Sequence, residues 1–81
     1  MCMIYIDVRT PEEFMSRHHP DAMNFPVEQM SLGMFPELPK DAQICVYCRS
    51  GARSGMAKQL LEQVGFTHVT NGGGIDDVFP Q

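Results

Sequence analysis

The chain has 81 residues, 43% hydrophobic and 20% charged, the composition of one small soluble globular domain spanning 1–81. Six Lys and Arg against ten Asp and Glu leave a net charge of −4, which repels phosphate and excludes nucleic acid as the expected partner. Three cysteines cannot form an even disulfide framework and no apolar run reaches a membrane span, so neither a stapled secreted scaffold nor a membrane protein is expected.

Met3 to Asp7 predicts a first strand, ending in the polar Asp7-Val8-Arg9. So abrupt a start fits a native, cytoplasmic chain or a periplasmic one whose signal peptide has been removed. Thr10-Pro11-Glu12-Glu13 is a strong helix start: Thr10 is the N-cap, Pro11 fits the first helical position, and Glu13 completes a capping box. That helix runs to about Arg17, carries Phe14 inward and stops before Pro20. His18-His19-Pro20-Asp21 predicts a turn, Ala22 to Phe25 a short strand, and Val27 to Met34 a short helix weakened by Gly33. After the proline-rich connector Phe35 to Asp41, the apolar run Gln43-Ile44-Cys45-Val46-Tyr47 predicts a buried strand. Ser54 to Val64 predicts the main helix, with Met56, Ala57, Leu60, Leu61 and Val64 on one face and Gly65 as its stop. Phe66 to Thr70 alternates as a further strand, and Asn71-Gly72-Gly73-Gly74 requires a tight turn or a close backbone approach. Ile75 to Phe79 predicts a last helical turn. Strand–helix alternation with short links means an α/β fold, a small parallel β-sheet flanked by helices. In such sheets sites gather at the carboxyl ends of the strands.

Between the buried strand and the main helix stands Cys48-Arg49-Ser50-Gly51-Ala52-Arg53-Ser54. A cysteine at a strand exit, followed by a glycine-containing loop that opens a helix, meets inward-turned N–H groups and the positive end of the helix dipole. Such surroundings stabilise a thiolate and lower the titration of a free cysteine from about 8.5 to roughly 3.5–7.5. Three of the six cations, Arg49, Arg53 and Lys58, fall in the loop and the helix after it, and no acid occurs between Asp41 and Glu62. A locally basic thiol loop on an acidic chain suits a small anionic substrate. Cys48 is the candidate nucleophile. An ionised cysteine needs no base, so His18 and His19 are assigned surface or turn-stabilising roles.

Four blocks resemble the rhodanese (thiosulfate sulfurtransferase) family, in particular its small single-domain members. They are Ile6-Asp7-Val8-Arg9-Thr10-Pro11-Glu12-Glu13-Phe14, then His18 through Pro26, then Tyr47 through Ser54, and Gly65-Phe66 through Gly73-Gly74. The resemblance implies a rhodanese-like fold and a sulfurtransferase that needs no metal and no organic cofactor. Cys48 would take the sulfane sulfur from thiosulfate or a similar donor as a persulfide, release sulfite, and pass the sulfur to cyanide or a thiol. Backbone N–H groups of Arg49, Ser50, Gly51, Ala52, Arg53 and Ser54 would cradle the persulfide, with Arg49 holding the anionic donor. Arg53 is divided between substrate contact and a structural tie to a carboxylate such as Asp7. Asp7, Arg9 and Glu13 are expected to support the loop through ion pairs and capping. Asp21 stands where the family turn usually carries glycine, and aspartate's tolerance of left-handed backbone is expected to preserve that turn. The chain is expected to be a minimal version of the fold, without the elements that many relatives carry before the first strand.

Four rival readings are weighed on the same residues. A cysteine-dependent phosphatase or arsenate reductase uses a Cys-x5-Arg loop around a tetrahedral oxyanion, whereas Cys48 to Arg53 is Cys-x4-Arg, a smaller cradle fitted to one sulfur. Cys45-Val46-Tyr47-Cys48 matches Cys-x-x-Cys, but Cys45 lies within the strand and reads as a small core hydrophobe, not half of a dithiol or zinc site. Cys2 is assigned no role. A non-catalytic binding module on this fold commonly lacks the nucleophile that this chain keeps. A persulfide carrier with a protein sulfur acceptor stays open beside the free-standing enzyme. Met15, Met23, Met30 and Met56 fall at core-facing spacing and are expected as core filler, and Gly72 to Gly74 are expected to pass close to the active edge.

Overall fold

The computed structural model describes residues 3–80. Strands β1 (Ile4–Asp7), β2 (Ala22–Asn24), β3 (Gln43–Cys48) and β4 (His68–Gly74) form one parallel sheet in the order β2-β1-β3-β4. Each parallel link needs a crossover, and each carries a helix. These are α1 (Pro11–Ser16), α2 (Val27–Ser31) and α3 (Ala52–Gln63); α4 (Ile75–Val78) follows β4. The expected small parallel sheet flanked by helices is the observed architecture. Among the described residues no helix is long and apolar enough to cross a membrane.

Alternation along the strands puts Ile6, Ile44, Val46, Cys48 and Val69 into one core with Val27 and Met30 of α2 and Ala57 and Leu61 of α3. Asp7, Cys45 and Tyr47 are buried at the alternate positions of the same strands. There α4 comes close, since a Cβ on Gly72 would stand 2.6 Å from Cys45 Sγ and 2.7 Å from Val78 Cγ1. Central β3 is buried continuously from Ile44 to Cys48, as a strand covered on both faces must be. Thr10 caps α1 as predicted: its hydroxyl accepts the Glu13 N–H at 3.3 Å, and the Glu13 carboxylate accepts the Thr10 N–H at 3.1 Å.

Elsewhere the structure corrects the sequence reading. Helix α1 buries no residue; Phe14 is half-buried, its ring stacked on His18 at 3.8 Å. Of the four methionines expected in the core only Met30 is buried. Met23 sits on edge strand β2, and the buried stripe of α3 runs Ser54-Ala57-Leu61, which turns Met56 and Val64 outward. Helix α3 begins two residues before the predicted Ser54 because Gly51 supplies its left-handed cap, at φ 101°. Helix α2 stops at Ser31, short of Met34. Strand β4 starts at His68 and runs through the glycines instead of ending at Thr70. Its register with β3 skips between Val46–Asn71 and Tyr47–Gly73, which makes Gly72 a bulge residue. The turn before β2 is intact, with the Ala22 N–H donating to the His19 carbonyl at 2.9 Å. Asp21 reaches it without left-handed backbone, for among the described residues only glycines have positive φ. Cys2 lies outside the described residues.

Candidate active site

Strands β1 and β3 are neighbours with Asp7 opposite Tyr47, so their carboxyl ends set Asp7-Val8-Arg9 beside Cys48. Cys48 is the last residue of β3 and only 1% exposed. Arg49, Ser50 and Gly51 alone separate it from α3. The loop expected over Arg49 to Ser54 is thus a three-residue link followed by the first helical turn, Ala52-Arg53-Ser54. The N–H groups of that turn have no partner within the helix and are free to serve another acceptor. The Gly51 N–H donates to Cys48 Sγ at 2.9 Å, and the Ser54 hydroxyl lies 3.5 Å from the same sulfur. Burial pushes the Cys48 thiol up. Hydrogen bonds from the Ser54 hydroxyl and from the N–H groups of Ser54, Ser50 and Gly51 outweigh it and bring the thiol down to about 7. Cys45, three residues earlier on the opposite face of β3, has burial alone acting on it and is pushed up. The two cysteines therefore differ in surroundings: Cys45 has burial alone acting on it, whereas hydrogen-bond donors converge on the Cys48 sulfur.

Backbone presses on backbone around the link. A Cβ on Gly74 would collide with the Arg49 carbonyl, and one on Gly51 would stand 3.4 Å from Gly73 Cα. The expected close passage of the glycines is what lets the link lie against β4.

The supporting charges are arranged differently from the expectation for Arg53. Asp7 is committed to Arg9, with Arg9 Nη2 2.6 Å from Asp7 Oδ2 and Nε 2.9 Å from Oδ1. That hydrogen bonding raises the Arg9 pKa against the opposing pull of burial, so the guanidinium keeps its charge. Arg53 instead grips Glu13 with two prongs, at 2.8 and 3.1 Å. The Arg53 guanidinium draws the Glu13 carboxyl down to about 2. Lys58 pairs with Glu62. Two of the three cations that made the loop look basic are thus neutralised by acids. Arg49 is exposed and makes no ion pair among the described residues. It lines a cleft of about 380 Å³ with Arg9, Glu13, Ser16, Arg17 and Asp76. Among the described residues no cluster of three or more His, Cys, Asp or Glu side chains could hold a metal ion.

The profile of the rhodanese-like domain matches residues 2–78. The chain belongs to the rhodanese-like domain family. It is 39% identical over 75 residues to the thiosulfate sulfurtransferase PspE of Escherichia coli (strain K12), an alignment covering 91% of this chain and 72% of that one. It is 42% identical over 69 residues to a sulfurtransferase of Allochromatium vinosum, covering 85% of this chain and 64% of the relative. The solved structure of a rhodanese with anions from E. coli superposes with a TM-score of 0.82 at 33% identity, covering 99% of this chain and 95% of the other. Sulfur transfer between a donor and an acceptor is the general function of this rhodanese-like domain's relatives.

Three residues that the sequence reading passed over hold the rhodanese-like site together. Asn24 Nδ2 donates to the carbonyls of Asp7 and Arg9, both at 3.0 Å, and pins the exit of β1. The Tyr47 hydroxyl accepts the His19 N–H at 3.0 Å, and burial pushes the phenol up to about 12. The Asn71 amide bonds to Gly51, Ser54 and Gly73. Its signal is a polar residue two positions after buried Val69, at the inward parity of β4. His18 and His19 build the turn: His18 Nδ1 bonds the Phe14 carbonyl at 2.7 Å, and His19 stacks on Tyr5 at 4.0 Å.

Proposed function

We propose that the chain is a single-domain sulfurtransferase, residues 1–81, which carries sulfur as a persulfide on Cys48 and takes it from thiosulfate or a similar anionic donor. One observation carries this reading: a nearly buried sulfur receives converging donors from the link and the first turn of α3, which bring its thiol to about 7. At neutral pH a large fraction is thiolate, the nucleophilic form. The thiolate attacks the outer sulfur of thiosulfate; a new S–S bond forms while the old one breaks, and sulfite leaves with the bonding pair. Cyanide or a thiolate then attacks the terminal sulfur, and Cys48 leaves as thiolate. The N–H groups of Ser50, Gly51 and Ser54 stabilise the negative sulfur at each stage. Arg49, with no carboxylate partner among the described residues, supplies the cation for a dianionic donor, in keeping with the anions of the similar E. coli rhodanese. Arg53, occupied by Glu13, serves the scaffold together with Asp7 and Arg9.

Replacement of the sulfur tests this directly. Cys48→Ser is expected to abolish thiocyanate formation from thiosulfate and cyanide while leaving the thermal melt within a few degrees of the parent. Undiminished turnover in that variant would overturn the assignment.

A further inference from the structure

Asn71 stands on β4 just before the bulged Gly72 and makes no hydrogen bond to Cys48. Its Nδ2 donates to the Gly51 carbonyl at 3.1 Å, and its Oδ1 accepts the Gly73 N–H at 2.9 Å and the Ser54 hydroxyl at 2.7 Å. Reversing the amide would set its NH₂ against the Gly73 N–H and its oxygen against the Gly51 carbonyl, so the backbone fixes the orientation from both sides. Helix α3 passes beside it at Gly55, where a Cβ would stand in ordinary contact, 3.4 Å from Nδ2.

The Ser54 hydroxyl has one proton and three acceptors around it: Asn71 Oδ1 at 2.7 Å, the Gly73 carbonyl at 3.4 Å and Cys48 Sγ at 3.5 Å. Serving one starves the others. The shortest contact has the ordinary O–H···O length, while a full charge on sulfur strengthens the longest. We propose that Asn71 is a positioning residue for sulfur transfer, competing with the Cys48 sulfur for the Ser54 hydroxyl proton. Asn71 holds that proton while Cys48 is neutral or bonded to a second sulfur, and yields it when Cys48 is a thiolate. Attack on the donor moves the negative charge from Sγ to the terminal sulfur, and the hydroxyl swings to Asn71; departure of Cys48 as thiolate swings it back. No bond to hydrogen breaks, since only the O–H rotor turns. The charged groups around the site are Arg49 on the link, Arg53 with Glu13, the Asp7–Arg9 pair, and Asp77, which accepts the Gly74 N–H at 2.8 Å. None of them hydrogen-bonds to Ser54 or Asn71.

The mechanistic meaning rests on Cys48 being the transferring sulfur, but the test does not require transfer. Iodoacetamide alkylation of Cys48 is followed against pH by the mass of the Cys48-containing peptide. Asn71→Ala frees the hydroxyl for sulfur, so the midpoint moves to lower pH and the rate at pH 6 rises about threefold, the size of one hydrogen bond. Asn71→Asp, a stronger acceptor whose negative charge also opposes the thiolate, moves the midpoint up. In a Ser54→Ala background, Asn71→Ala leaves the midpoint where Ser54→Ala alone puts it. An unchanged midpoint, a shift of both Asn71 variants in the same direction, or an equal shift without Ser54 would each overturn the proposal. Should the alkylation pattern hold in protein that transfers no sulfur, the failure lies with the role given to Cys48 and not with Asn71.

Discussion

Glu13 serves two helices at once: its carboxylate accepts the Thr10 N–H at the start of α1 and takes both prongs of Arg53 in the first turn of α3. Its folded value of about 2 lies below the ordinary 4.5, so the stabilisation is present above about 4.5 and is lost as pH falls toward 2. Both side chains are about a third exposed, 34% and 30%, and solvent screens the pair to about 1 kcal/mol. Glu13→Gln keeps an acceptor for the cap and loses the charge. Urea unfolding is expected to show a deficit of about 1 kcal/mol at pH 7 that shrinks toward zero near pH 2; equal stability at pH 7 would contradict the ion pair. The cap was legible because Thr10-Pro11-Glu12-Glu13 is contiguous and its geometry local. The ion pair was not, since its partner lies forty positions away and only the sheet order brings them together.

At the scale of elements, β4 shows why alternation can end before a strand does. Apolar/polar alternation stops at Thr70 because glycines have no side chains to alternate, yet pairing with β3 continues to Gly74. The bulge at Gly72 and the bare backbone of Gly73 and Gly74 let β4 lie against the link after Cys48. Gly74→Ala places a methyl against the Arg49 carbonyl, which is backbone and cannot swing aside. It is expected to cost about 2 kcal/mol in denaturant unfolding and to slow Cys48 alkylation at pH 7. Gly33→Ala is the control. Its Cβ meets nothing within 4 Å, so only the strain of φ 88° remains and Cys48 alkylation stays at the parent rate. Equal slowing by both variants would contradict a specific contact between β4 and the link.

For the whole molecule, the fold was readable because each level repeats the same message. Short apolar strands alternate with helical segments, links are short, and a parallel sheet brings Asp7 and Cys48 to one edge. Burial of individual side chains was less readable, because Met15, Met23 and Met56 depend on which helix face and which sheet edge the assembled layers leave open. Cys48 and its link were legible as one contiguous stretch; Asn24 and Asn71 were not, being distant in sequence and gathered only by strand pairing, and the role of Tyr47, next to Cys48, was hidden because its hydroxyl's partner is the distant His19 N–H. The proposed function rests on one claim, that Cys48 carries the transferred sulfur. Intact-protein mass spectrometry after incubation with thiosulfate, and again after cyanide, tests that claim most directly. The account predicts a gain of one sulfur atom, removed by cyanide and absent from Cys48→Ser. An unchanged mass, in protein whose Cys48 still alkylates, would contradict it.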